Sequence, residues 1–153
     1  MSGAGPLRFE ISCDPARLDI DLVHAFLSRE SAWARGISRD VVERALAHSL
    51  CFGAYDGATQ VALARVVTDR ATYAWLADVF VIETHRGMGI SAALMDAVIA
   101  HPDLQGLRRF SLVSSSAPGL YARYGFTPLV KPEIWMERFD PDVYARGDSA
   151  APA

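Results

Sequence analysis

The chain lacks a long apolar run, a block of basic residues and any cysteine framework. Within its 153 residues no apolar stretch approaches the ~20 needed to span a bilayer, and the opening Met1-Ser2-Gly3-Ala4-Gly5-Pro6 has no apolar core of the kind an export signal needs. The 15 Lys and Arg are outnumbered by 18 Asp and Glu, giving a net charge of −3 with both signs scattered. A protein that tracks nucleic-acid phosphates needs clustered cations, so no nucleic-acid partner is expected, and no membrane partner either. The two cysteines, Cys13 and Cys51, have neither metal-ligand nor redox spacing. Cys51 sits in the apolar run Leu50-Cys51-Phe52 and reads as a buried thiol. His24, His48, His85 and His101 are dispersed, so no metal site is expected. These absences together suit a reducing cytoplasm.

What is present is the composition of a folded domain. Half of the residues (51%) are apolar and 22% are charged, and the length suits one hydrophobic core. There is no internal repeat and no linker. Residues 1–141 read as one domain and 142–153 as a disordered tail, ending in the small residues and proline of Gly147 to Ala153.

Periodicity orders the elements. Leu7, Phe9 and Ile11 alternate on one face of a first strand, which Asp14-Pro15 breaks. Asp19 can cap a helix carrying Leu22, Val23, Phe26 and Leu27 on one side, and Ser38 a second with Val41, Val42, Ala45 and Leu46 inward. Between them, Ser31 to Gly36 is a loop. Leu50 to Tyr55 and Gln60 to Thr68 form a hairpin about Asp56-Gly57. Thr72 to Ile82 is nearly all apolar and belongs inside a sheet. A helix with the stripe Ile90, Leu94, Ala97 and Val98 follows, then a buried strand from Phe110 to Val113. Ala117 to Tyr124 is a short helix ended by Gly125. Phe126 to Phe139 is expected to supply the last one or two strands. The fold class is mixed α/β, with one mostly antiparallel sheet of 6–7 strands and about four helices. The helix between Ile82 and Phe110 has the length to join two parallel strands.

The segment Arg86-Gly87-Met88-Gly89-Ile90-Ser91 lies between the apolar strand and the long helix. Glycines allow a tight turn and close approach to the backbone. The first amides of the helix have no partner within it, so an anion, and a pyrophosphate best of all, suits this junction. The third glycine of the dinucleotide fingerprint is replaced by Ala92, and no Gly-Lys-Ser/Thr follows. From the loop alone, phosphate binding and a purely structural turn both stand.

Three segments, taken with their spacing, resemble the GNAT superfamily of N-acetyltransferases. They are Leu76-Ala77-Asp78-Val79-Phe80-Val81, then Arg86-x-x-Gly89-x-Ser91, then Gly119-Leu120-Tyr121-Ala122-Arg123-Tyr124-Gly125-Phe126. The likeness covers Cys51 to Leu129 well and the first fifty residues more loosely. It implies acetyl-CoA as co-substrate. Backbone groups of Val79, Phe80 and Val81 would pair with the pantetheine amides, beside a central strand splayed from its neighbour. The amides from Gly87 through Met88, Gly89, Ile90 and Ser91 to Ala92 would hold the pyrophosphate. Arg86 would either add charge at the phosphates or brace the loop. Ser91 stands where the family prefers Gly or Ala. Ser114 stands where many relatives have a pantetheine-contacting Asn, and it would either replace that Asn or cap the next helix.

Transfer of an acetyl group to an amine needs a neutral amine, a polarised carbonyl and a stabilised thiolate. Tyr121 matches the family's acid that protonates the CoA sulfur; by periodicity alone it is a core tyrosine. Asp78, a carboxylate in an apolar strand, is a candidate base acting through water, or a structural acceptor. Some relatives carry a Glu one position earlier, where this chain has Ala77. For the acceptor pocket the candidates are Trp33, Tyr73 and Trp75, with Tyr73 and Trp75 on one strand face; core packing is the alternative for each. Aromatic walls would suit an apolar or cationic amine.

The reading is an N-acetyltransferase acting on a primary amine of a small molecule or peptide, by direct attack in a ternary complex. The only thiol worth testing, Cys51, has no activating neighbour in sequence. Two alternatives stand beside it: a non-catalytic acyl-CoA-sensing module, and a structural protein that uses the loop for another pyrophosphate. A homodimer is the partner that analogy with the family adds.

Overall fold

The computed structural model describes residues 9–145, which divide into two compact units. The first comprises residues 9–19 and 45–113, the second residues 20–44 and 114–145. No helix among the described residues is long and apolar enough to cross a membrane.

The first unit holds the sheet. Its strands are β1 (Phe9–Ser12), β2 (Leu50–Asp56), β3 (Thr59–Thr68), β4 (Tyr73–Val81) and β5 (Arg109–Leu112), in spatial order β1-β2-β3-β4-β5. The first three pairings are antiparallel and β4–β5 is parallel. The parallel pair is joined by the expected crossover through helix α3 (Ile90–Ala100). In the register, Phe52 opposes Ala64, and Leu50 and Leu76 both oppose Val66, which puts these apolar side chains on one face. Phe52 meets the His101 ring edge-on just past α3, so the helix covers that face. Ile90, Leu94, Met95 and Val98 are its buried residues. Met95 therefore joins the stripe where Ala97 was expected.

The opposite face of the sheet carries Cys51, Gly53, Leu63, Arg65, Trp75 and Ala77. Gly53 is required there by a close approach: a Cβ on it would lie 2.5 Å from the Tyr55 hydroxyl oxygen. Tyr55 thus lies along its own strand, over the glycine, with the Arg17 guanidinium 4.1 Å from its ring centre. The turn from β3 to β4 is held by Asp69. Its carboxylate accepts from the amides of Ala71 (2.9 Å), Thr72 (2.8 Å) and Tyr73 (3.2 Å) and from the Thr72 hydroxyl.

The second unit contains α1 (Ile20–Ala25), continued by a wider π turn over Phe26–Glu30, most of α2 (Arg39–Ala47), and α4 (Pro118–Ala122). Ser38 caps α2 as expected, its hydroxyl accepting from the Val41 amide at 3.3 Å. Asp19 does more than precede α1: its amide donates to the Gln60 side chain at 2.7 Å, which ties residue 19 to the sheet unit.

Two expectations change. The sheet has five strands among the described residues, because Phe126 to Phe139 contributes none. Pro128 and Pro132 remove amide donors a ladder would need, and Pro132–Ile134 forms one 3-10 turn instead. The strand near Phe110 starts one residue earlier, is only half-buried, and leaves Val113 outside it and 79% exposed. Of the expected tail, Asp142 and Ala145 still close a turn (3.1 Å), while Gly147 to Ala153 lie outside the described residues.

Candidate acetyl-CoA site and catalytic groups

The site begins with a fault in the sheet. In the β3–β4 ladder, Arg65 opposes Ala77 but Leu63 opposes Phe80, so β4 carries one extra residue. This is a β-bulge, and Asp78 sits in it with φ +50°. Aspartate tolerates that conformation better than most residues. The extra residue reverses the alternation, so Phe80, not Val79, shares a face with Ala77.

On its other side, β4 pairs with β5 only from Tyr73–Arg109 to Leu76–Leu112. Residues 77–81 continue beyond the end of that ladder, with β3 as their only strand partner among the described residues. Val79, Phe80 and Val81, the residues expected to meet pantetheine, lie in this overhang.

The loop that follows is pinned at its ends and open in its middle. A 3-10 turn over Glu83–His85 leads to Arg86, whose Nε donates to the Val81 carbonyl at 2.9 Å. This contact is of the bracing kind, one of the two roles open to Arg86. Gly87 (φ +79°) and Gly89 (φ +80°) take conformations that exclude most side chains, and a Cβ on either would meet open space. Their need for glycine is therefore conformational. Met88 is 55% exposed, whereas Ile90 is buried and anchors the start of α3. The N-cap residue of α3 is Gly89, which has no side chain to cap the helix, and the first turn holds no acidic residue. The helix end thus presents its partial positive charge with no acidic residue in its own first turn.

Asp78 and Arg65 form an ion pair (Oδ2 to Nε, 2.7 Å) with side chains only 10% and 18% exposed. Arg65 also donates to the Ser49 hydroxyl at 3.1 Å. Sequence reasoning missed Arg65 and Ser49. The available signal was a cation in the apolar run Leu63-Ala64-Arg65-Val66, on a strand antiparallel to the one carrying Asp78.

Tyr73 and Trp75 share the β4 face turned away from α3. The Tyr73 hydroxyl is hydrogen-bonded to the Ser111 hydroxyl of β5, and Trp75 stands directly across from Ser111 in the ladder. Both aromatic residues are half-buried.

In the second unit, Tyr121 on α4 is half-buried, packs edge-on against Phe126 (6.3 Å between ring centres), and has its phenol pKa raised by burial. Ser114 accepts from the Ala117 amide at 3.1 Å, immediately before α4, which fits the capping role read for it. Trp33 is 55% exposed on its loop, its ring 6.4 Å from that of Phe26. Elsewhere, burial pushes the Cys51 thiol up to about 11, far from the thiolate a nucleophile needs. His85 pairs with Asp56, and His24 contacts the Ile37 carbonyl.

Comparison with known proteins gives these features a family. The family model for the Acetyltransferase (GNAT) domain matches residues 47–128. A Gibberella zeae protein assigned by name to the acetyltransferases, FG08082, is 32% identical over 135 residues, covering 74% of this chain and 75% of its own. A crystal structure of a Xanthomonas campestris pv. campestris protein placed in the GNAT family is 56% identical, with TM-score 0.90, covering 92% of this chain and 99% of that one. A Clostridium acetobutylicum protein crystallised with acetyl-CoA shares the fold at 17% identity and TM-score 0.60, covering 86% and 94%. A family match over more than half of the residues, joined to a 56% identical relative over almost the whole chain, establishes that the chain belongs to the GNAT family of acetyltransferases.

Proposed function

We propose that the protein transfers the acetyl group of acetyl-CoA to a primary amine of a small molecule or peptide, by direct attack in a ternary complex. One observation carries the reading: the β4–β5 ladder stops at Leu76 while β4 runs on to Val81 and then through the glycine turn into the N-terminus of α3. The overhang offers backbone groups to an extended amide-bearing chain, as an added strand would. The loop of residues 86–92 follows at its end, where amides and helix dipole favour a pyrophosphate. Pantetheine and pyrophosphate are joined in that order in coenzyme A, so the residues present fit it.

When bound, acetyl-CoA supplies the activated acyl group. Tyr121 donates its proton to the departing thiolate, and its raised pKa keeps the phenol protonated through neutral pH. Of the two roles read for Asp78, the pairing with Arg65 supports the structural one: Asp78 fixes the bulge that positions Val79 to Val81, and the amine's proton leaves through water. Tyr73 and Trp75 form an aromatic wall for the acceptor, and Trp33 is an independent candidate for contacting it. The inert Cys51 thiol agrees with a path that has no acetyl-enzyme.

The sensing module keeps one specific argument: Asp78, the carboxylate read as the candidate base, is engaged by Arg65, and Ala77 stands where some relatives carry a Glu. Release of CoA thiol against a panel of primary amines separates the readings. Amine-dependent, saturable release supports the enzyme. Tight acetyl-CoA binding without release for any amine supports the sensor.

A further inference from the structure

We propose that Asp56 and His85 are positioning residues that set the cofactor loop before the cofactor arrives; this rests on the reading that residues 86–92 hold the pyrophosphate. Asp56 closes β2 at the hairpin turn, and its Oδ2 accepts from His85 Nε2 at 2.9 Å. The other ring nitrogen, Nδ1, faces the Thr84 hydroxyl at 2.8 Å. With Nε2 carrying its proton toward the carboxylate, Nδ1 of the neutral ring accepts from Thr84, so both ring nitrogens and the ring plane are fixed. The contact with Asp56 ties the turn preceding the loop to a hairpin some thirty residues earlier in the chain, and the one with Thr84 fixes the ring within that turn.

The position of this pair gives it a role that general stabilisation would not require. Arg86 holds the loop's start to the end of β4, and the buried Ile90 holds its far side to the sheet unit. Residues 86–89 between these anchors are exposed and include two glycines at positive φ, the residue type with the most freedom to lose. Ordering such a segment on binding opposes affinity, and a tether that orders it beforehand reduces that cost. The His85 side chain is 22% exposed and Asp56 51% exposed, so the pair adds little to the fold as an ion pair. Its effect falls on the segment that it restrains.

The experiment compares the parent with Asp56→Ala, His85→Ala, the double variant and His85→Gln, whose amide can still donate to Asp56. Hydrogen exchange is followed in cofactor-free protein, and coenzyme A is titrated by calorimetry. We expect faster exchange confined to residues 83–90 in both alanine variants, with Kd for coenzyme A raised about 5- to 20-fold. The double variant should be no weaker than the worse single one, and Gln at 85 should restore both readouts. Unchanged loop exchange, faster exchange spread equally through β2 and β3, or altered exchange with unchanged Kd would each overturn the proposal. If the parent itself binds no coenzyme A, the functional reading fails, and the exchange arm alone decides whether the pair sets the loop.

Discussion

Replacing Asp78 separates the charge it supplies from the backbone conformation it adopts. Alanine removes the counter-charge of Arg65, a side chain only 18% exposed. Breaking one side of a fully buried pair costs about 3–5 kcal/mol. The remaining exposure of Arg65 and its bond to Ser49 reduce this to about 2–4 kcal/mol. Alanine also meets the φ of +50°, which adds about 1 kcal/mol. Glycine loses the same charge without the conformational penalty. Asparagine keeps an acceptor for Arg65 and tolerates the backbone, so its cost falls to about 1–2 kcal/mol. The expected order of destabilisation is Asn, then Gly, then Ala. Urea unfolding with equal m-values measures it, and each 1 kcal/mol should move Tm by about 2–4 °C in a chain of this size. Arg65→Met combined with Asp78→Asn should cost at least 1 kcal/mol less than the sum of the single changes. Three variants each within about 0.5 kcal/mol of the parent, or glycine worse than alanine, would refute the argument.

Other outcomes follow from single observations. Tyr121→Phe should lower kcat by about 10²-fold or more with little change in Kd for acetyl-CoA; full activity in steady-state assays would remove Tyr121 as the acid. Gly53→Ala should destabilise by about 1–3 kcal/mol in urea, because its Cβ would meet the Tyr55 ring and hydroxyl. Tyr55→Phe should leave stability unchanged or raise it by up to about 1 kcal/mol, since that buried hydroxyl has no hydrogen-bond partner among the described residues. The hydrogen bonds to Asp69 hold its carboxyl well below the ordinary carboxylate range, so folding binds its ionised form. That stabilisation is complete above about pH 4 and is lost as pH falls toward the depressed folded-state value; Asp69→Asn should flatten the acid limb of a Tm-against-pH curve. Cys51 should react slowly with a thiol reagent at pH 8 in folded protein, and Cys51→Ala should still transfer acetyl groups.

Periodicity located the elements it could see and was silent about those set by pairing. The apolar run over β4, the glycine loop and the α3 stripe carry local patterns, and they folded accordingly. The bulge at Asp78 has no local sign, because an extra residue exists only relative to the opposing strand. Arg65 was hidden for the same reason: its partner lies 13 residues away, across the hairpin. The segment from Phe126 to Phe139 is rich in strand-forming side chains, yet Pro128 and Pro132 deny it the amides a ladder uses. Around the candidate site, the strand-to-helix glycine turn and the shared face of Tyr73 and Trp75 were legible from residue type and spacing. The hydrogen bond from Arg86 to the Val81 carbonyl depends on side-chain geometry, which spacing does not encode.

Amide resonances followed by NMR during a titration with coenzyme A give the most direct test of the central claim. Saturable shifts concentrated at Val79 to Val81 and at Gly87 to Ser91 are the predicted result. Saturation with those resonances unmoved, or no saturation by either coenzyme A or its acetyl ester, would contradict it.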